Sequence, residues 1–273
     1  MKKIFVVFAV LFALGLSACS QASYEVREGN TLTVGLEAAY APYNWTIQQQ
    51  NEFTVPLNGQ SGAYVDGYDV VVARHIADEL GLELVIKAIE WDGLIPALQA
   101  GQIDVIIAGM SPTAERKETV NFSTEYYRAN QVMVVRTNST YADATAIADF
   151  SGSRVIAQLG TLQDDLIDQI PNVVHGTPLD SYNAITQAVR SGEADAFIAE
   201  LPVAVSITQS NSDLTYVEFE GTNGFTVSEE DVTTAVAVRK RDNALLEAID
   251  SVLVELSSET KDAWMLAALS RQN

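Results

Sequence analysis

One cysteine, two histidines and a shortage of basic residues set the first limits on this 273-residue chain. With Cys19 alone, no disulfide can form within the chain, so its stability has to come from a packed core. A single Cys with His75 and His175 offers no metal-ligand spacing. Neither a glycine-rich phosphate loop nor a Ser-His-Asp set can be assembled, and no cofactor is expected. His75 falls inside a helical pattern and His175 after a polar turn, both ordinary surface or core positions. The 16 Lys and Arg against 36 Asp and Glu give a formal net charge of −20, which argues against nucleic acid as a partner because phosphate binding needs basic patches. The N-terminal apolar run, residues 4–16, is shorter than the roughly 18 residues a membrane span needs.

What is present suits globular α/β domains with real cores: 48% hydrophobic and 19% charged residues. Lys2 and Lys3, the apolar run and then Leu16-Ser17-Ala18-Cys19 have the order of an export signal over residues 1–18. A lone Cys straight after Leu-Ser-Ala is similar to the lipobox of bacterial lipoproteins, which implies a lipid on Cys19, a short lipidated tether over 19–29 and a membrane-anchored protein facing outside the cytoplasm. The other reading is an ordinary signal-peptidase site with an incidental Cys. Removing 1–18 would take two lysines and no acid, leaving the mature part more acidic still, a charge that keeps a surface protein soluble.

Residues 31–35 form a short strand that delivers Glu37, Tyr40 and the segment 42–45 into a loop. The stretch 48–63, rich in Asn, Gln and Gly, suggests a surface insertion. A helix over 70–80 is apolar at 72, 73, 76, 77 and 80 and is closed by Gly81; a strand over 82–89 ends at Trp91. Asp92 is placed to cap a helix over 94–100, Gly101 ends it, and 103–108 is the unbroken apolar run of a strand covered on both faces. The chain then turns at Gly109 and starts a helix with Ser111 as N-cap and Pro112 at its first position. A helix start presents unpaired N–H groups to an anion, Ser111 and Thr113 add hydroxyls, and Arg116 lies one turn on with a planar fork for a carboxylate. The plainer alternative is that Ser111 only caps and Arg116 pairs with Glu115 or Glu118 on the surface.

A second α/β series starts with a strand at 154 and turns at Gly160 into a helix capped by Thr161, with Asp164 and Asp165 in its first turn. Residues 97–108, ALQAGQIDVIIA, echo 188–199, AVRSGEADAFIA, which supports two similar lobes. In that alignment Glu200 takes the place of Gly109, with Pro202 opening the next helix. The short β-prone segments 131–136 and 233–239 are expected to link the lobes, and helical segments at 244–256 and 264–269 to return to the first.

The pieces GLEAAYAPYNW, GYDVVVARHIADELG, the whole of 91–127, VIAQLGTLQD and GEADAFIAELPVA together resemble the polar amino-acid family of periplasmic-type solute-binding proteins, the extracellular components of ABC importers. The resemblance implies an α/β, two-lobed periplasmic-binding-protein fold, each lobe a mostly parallel sheet flanked by helices, with two hinge strands. Residues 30–132 with 238–273 would form lobe 1 and 133–237 lobe 2. It further implies a monomer that closes on one free amino acid and docks on ABC permease and ATPase subunits. Carried over by position, Arg116 would clamp the ligand α-carboxylate, helped by Ser111, the Gly109 backbone and Thr161, and Glu200 would take the α-ammonium. Tyr40 and Trp91 would sandwich the ligand side chain, with Glu37 and Gln158 at its far end.

A carboxylate beside two ring faces is what a cationic side chain uses, so lysine or arginine is the expected ligand. Gln158 also suits an amide, which leaves glutamine, cystine or an aromatic amino acid open. Two other classes compete: a dehydratase-like enzyme on the same scaffold, for which Glu200 is the one strong acid or base in the proposed cleft, and a sensor acting through a partner. Glu200 has a better role opposite an ammonium, and no enzyme is expected.

Overall fold

The computed structural model describes residues 22–272; Lys2, Lys3, the apolar run and Cys19, on which the export and lipidation expectations rest, lie outside them. β1 (Thr31–Leu36) leads into a small antiparallel sheet of β2 (Ala39–Tyr40), β3 (Asn44–Ile47), β4 (Val55–Pro56) and β5 (Tyr64–Asp66). The polar stretch 48–63 is thereby tied down through β4 rather than standing clear of the fold. Gly67, at φ 140°, comes next, and a Cβ there would lie 2.1 Å from the Tyr43 carbonyl oxygen. That close approach lets the amides of Tyr68 and Asp69 donate to Pro42 and Tyr43 (3.0 and 2.8 Å), so backbone replaces a capping side chain at the start of α1 (Tyr68–Glu79).

β6 (Glu83–Ala88), a 3₁₀ turn Trp91–Gly93, α2 (Leu94–Gln99), β7 (Val105–Ile106), α3 (Ala114–Thr119) and β8 (Val120–Arg128) complete the first pass. Asp92, expected to cap α2, sits inside the 3₁₀ turn; Gly93 donates to the Glu90 carbonyl (2.9 Å) and itself becomes the N-cap, with no side-chain bond. The chain continues through β9 (Gln131–Arg136), β10 (Arg154–Ile156), α4 (Leu162–Ile167), β11 (Val174–His175), α5 (Tyr182–Ser191), β12 (Ala196–Glu200), α6 (Leu201–Ser210) and β13 (Leu214–Val217). It returns through β14 (Thr233–Arg239) to α7 (Asn243–Leu253), which packs on β8 and α1, and α8 (Ser258–Ser270).

Two five-stranded sheets result, ordered β6-β1-β7-β14-β8 and β11-β10-β12-β9-β13. In each, the first two pairings are parallel and the last two antiparallel. The sheets are therefore mixed, not mostly parallel as expected. The reason is that β14 and β9 are each laid down after a passage from the other lobe, and they enter against the direction of the crossover strands. β9 belongs wholly to the second sheet and β14 to the first, so the passages lie at 129–130 and between 217 and 233, earlier than the boundary at 237 read from the sequence.

The echoed segments take equivalent places: 97–108 runs from α2 into β7, and 188–199 from α5 into β12, the third strand of each sheet. β14 is buried at every position, as is the run 105–110 around β7. Tyr24 donates its amide to the Asp242 carboxylate (2.9 Å), and Tyr24 and Val26 pack on the core, so part of the expected tether is docked on the first lobe. Among the described residues, no helix is long and apolar enough to cross a membrane.

Candidate functional site

Parallel strands that end side by side leave a crevice beyond their carboxyl ends, and the loops after β1, β7, β10 and β12 meet there. All nine residues expected to hold a ligand, Glu37, Tyr40, Trp91, Gly109, Ser111, Arg116, Gln158, Thr161 and Glu200, line one cavity, joined by Leu162, Gln163 and Tyr182. The cavity measures about 10 Å³, room for about one water. It is narrow because the lobes touch through these side chains. The Tyr40 hydroxyl donates to the Glu200 carboxylate, Gln158 Nε2 donates to Glu37 Oε1 (2.7 Å), and Trp91 Nε1 and Arg116 Nη2 both donate to the Gly160 carbonyl (3.2 and 3.1 Å). Two larger cavities adjoin it: one of 470 Å³ shares Trp91 and is lined by Glu90, Asp92 and Asp180, and one of 410 Å³ shares Arg116, Thr161 and Leu162.

Tyr40 is 5% exposed; its ring stacks on Tyr43 (centroids 5.3 Å apart) and tilts against Tyr182 of the other lobe (4.8 Å). Trp91 lies at the cleft and not in the core, with the Arg116 guanidinium 5.0 Å over its ring. Gly109 has φ 62°, and a Cβ on it would press on Tyr40 at 3.0 Å, so the position needs glycine twice over. Its N–H is already donated to the Tyr126 hydroxyl (2.9 Å), which leaves the carbonyl as its free polar group.

Ser111, expected as an N-cap, is not one. Thr113 N–H closes a three-residue turn about Pro112 onto the Ser111 carbonyl (3.0 Å), which holds Pro112 outside the helix. Thr113 then caps α3, its hydroxyl accepting from Arg116 N–H (3.3 Å). The Ser111 carbonyl also accepts from Arg116 Nη1 (2.9 Å), which aims the guanidinium across the cleft rather than toward Glu115 or Glu118. Thr161 caps α4 as expected, and its hydroxyl proton goes to the Gln158 carbonyl (2.7 Å), so toward an anion it offers backbone only.

Burial pushes the Glu37 carboxyl up to about 7; the Gln158 bond opposes this while Glu90 and Asp69 add to it. Burial also raises Glu200, against the pull of the Tyr40 bond, Gln163 and Arg116. It lowers Arg116, with Glu200 the foremost charge holding that guanidinium up. Tyr182 and Gln163 were not anticipated. Gln163 sits in the first turn of the helix that follows the strand predicted at 154, a sequence cue equal to the one that flagged Arg116, whereas Tyr182 opens α5 after β11, a two-residue strand the sequence did not announce. Among the described residues, no cluster of three or more His, Cys, Asp or Glu is placed to hold a metal ion. His75 packs edge-on against Trp264 (5.4 Å), and His175 is held between Asp168 and Asp164 (2.9 and 3.0 Å), away from the cavity.

Residues 32–265, which span both sheets, match the family model described as bacterial extracellular solute-binding proteins, family 3. The chain belongs to that family. Among family 3 relatives, it is 29% identical over 264 residues to the arginine-binding extracellular protein ArtP of Bacillus subtilis, covering 94% of this chain and 93% of that one. It is 32% identical over 234 residues to a probable histidine-binding protein of Campylobacter jejuni, covering 82% and 85%. Among solved family 3 structures, it superposes with a TM-score of 0.75 and 27% identity on an amino acid ABC transporter substrate-binding protein from Streptococcus pneumoniae bound to L-arginine, over 88% of this chain and 94% of that one. These relatives are transport binding proteins, not enzymes, and their lobes are the two-lobed fold the sequence pointed to.

Proposed function

We propose that this protein is the extracellular binding component of an ABC importer and that its cleft takes a free amino acid with a cationic side chain, L-arginine before L-lysine. The observation that carries the reading is the charge of the cavity wall: two carboxylates, Glu37 and Glu200, stand against one guanidinium, Arg116. A zwitterion leaves that wall one negative charge in excess, and a ligand with a further cation neutralises it. Arg116 grips the α-carboxylate with its fork, Glu200 takes the α-ammonium in exchange for the Tyr40 hydroxyl, and Glu37 meets the side-chain cation between the rings of Tyr40 and Trp91. Charge-assisted bonds contribute about 1.5–3 kcal/mol each, so a few reach the roughly 8 kcal/mol of a micromolar site. The arginine-binding relative and the arginine-bound neighbour support the same ligand class.

The test is a thermal-shift screen of the purified protein against the common amino acids and cystine. L-arginine and L-lysine raise the melting temperature, by about 2.7 kcal/mol of stabilisation at a hundredfold excess over the dissociation constant. Shifts with neutral amino acids alone discard the cationic pocket, and no shift at all discards the amino-acid reading. The sequence Leu-Ser-Ala-Cys supports lipidation of Cys19 and anchoring outside the cytoplasm; Cys19→Ser should move the protein from the membrane fraction to the soluble one.

A further inference from the structure

One buried carboxylate lies behind the cavity without touching it. Asp69, in the first turn of α1, is fully buried, as are Asn44 on β3 and Tyr126 on β8. Its two oxygens each accept one side-chain donor: Tyr126 hydroxyl at 2.8 Å on Oδ1 and Asn44 Nδ2 at 2.7 Å on Oδ2. Each of those donors accepts, in turn, one backbone N–H from a loop of the site. Tyr126 takes Gly109 N–H (2.9 Å) and Asn44 Oδ1 takes Ala38 N–H (2.7 Å). The two residues that donate these N–H groups share a property that needs an outside hold: both have left-handed backbone, Gly109 at φ 62° and Ala38 at φ 57°. For alanine that conformation costs about 1–2 kcal/mol, so something has to keep it there. Ala38 follows Glu37 directly, and Gly109 lies two residues before Ser111, whose carbonyl steers Arg116.

We propose that Asp69 is the positioning residue of the ligand site, fixing through Asn44 the loop that carries Glu37 and through Tyr126 the loop that carries Gly109 and Ser111. The proposal rests on the reading of the cleft as an amino-acid site, and it adds a group that touches no ligand. Its chemistry depends on having two acceptor oxygens. Asparagine at 69 keeps one acceptor and turns a second donor toward Tyr126 or Asn44, so one arm is left donor against donor. The position of Asp69 near the amino end of α1 favours the anion, and burial with two charge-assisted bonds makes the network stiff.

The experiment reads backbone amide signals of the full chain by ¹⁵N–¹H NMR in the absence of ligand, together with L-arginine affinity by titration calorimetry. In Asp69→Asn, the amide signal on the arm left donor against donor, Ala38 or Gly109, moves, and affinity falls by about tenfold or more, as when hydrogen-bond partners behind a ligating group are removed. Tyr126→Phe moves Gly109 and leaves Ala38; Asn44→Ala does the reverse. A purely structural role would lower the melting temperature without this division of the two signals. Wild-type affinity in Asp69→Asn, or both amides unmoved in it, overturns the proposal. If Asp69→Asn does not fold, the two single-arm variants decide it by the same signals. Failure of the wild type to bind arginine would overturn the ligand reading alone, since the amide signals are read without ligand.

Discussion

The phenol of Tyr40, on the first lobe, gives its hydrogen bond to the carboxylate of Glu200, on the second. The same two residues are those the sequence assigned to opposite duties, one to the ligand side chain and one to its ammonium. On the proposed reading, closure and recognition draw on the same atoms and a ligand enters by exchange: an ammonium replaces the phenol on Glu200, and a carboxylate replaces the Gly160 carbonyl on Arg116.

Tyr40→Phe keeps the ring and removes this bond. Buried Glu200 then loses the foremost of its hydrogen-bond donors in the closed form, so the ligand-free protein should open, while arginine, which brings its own donor, should still close it. Small-angle scattering should give a larger radius of gyration for the ligand-free variant than for the wild type, with the two agreeing in saturating arginine.

In the proposed assignment Arg116 serves every α-carboxylate, whereas Glu37 serves only a cationic side chain. Arg116→Ala should weaken all amino-acid ligands by about 10- to 100-fold, as expected for one or two lost charge-assisted bonds. Glu37→Gln should weaken arginine and lysine by about tenfold and leave neutral amino acids within about twofold. Arg116→Lys should recover little, because a point charge does not replace the two-pronged fork. Calorimetric titration of each pair checks this.

The Glu37 carboxyl, held up to about 7 by burial, carries a proton just below neutrality and must lose it to meet a guanidinium. Arginine affinity should be full above about pH 8 and fall as the pH drops through 7, by up to about tenfold per pH unit. Ligand-free stability should run the other way. A carboxyl raised by folding stabilises when protonated, a contribution fully present below its ordinary value and lost as pH rises through 7, so the melting temperature should fall from pH 5 to 8. Asp69, raised by burial to about 6, adds to this trend at its lower end. Glu37→Gln should flatten the affinity profile.

Gly67→Ala forces a Cβ to within 2.1 Å of the Tyr43 carbonyl oxygen, at a φ that L residues avoid. Backbone has to move, and with it the amide bonds that start α1 and seat Asp69. The loss should exceed the roughly 1 kcal/mol typical of a point change and be visible as a drop of several degrees in melting temperature.

Local grammar carried much of the fold into view. The Thr161 cap, the Gly101 stop with its left-handed φ of 73° and the apolar run around β7 all depend on residues a few positions apart. The nine residues were carried over by position from the family resemblance, and the meeting of Gly109, Ser111, Thr161 and Glu200 also follows from their places at the ends of predicted parallel strands, which end together. What depends on distant partners was hidden. The antiparallel entry of β9 and β14 is set by the path between lobes, and the place of Tyr182 against Tyr40 exists only when the lobes meet. Ser111 and Asp92 failed as caps for a local reason of another kind, since short turns at Pro112 and Gly93 shift the helix start by two and one residues.

The two sheets carry the same strand order on the two sides of the cleft. Glu37 follows the first parallel strand of one sheet and Gln158 the first of the other, and these two counterparts meet at 2.7 Å. Gly109 follows the third strand of one sheet and Glu200 ends the third strand of the other, and they are counterparts in the same sense. An amino acid does not repeat itself in this way, so on the proposed reading its direction in the cleft has to be imposed by whatever breaks the repeat. Here the break is a charge: where one lobe presents bare glycine backbone with a guanidinium a few residues on, the other presents a carboxylate at the corresponding corner. Head and tail of the ligand are told apart by a difference between two halves that otherwise repeat each other.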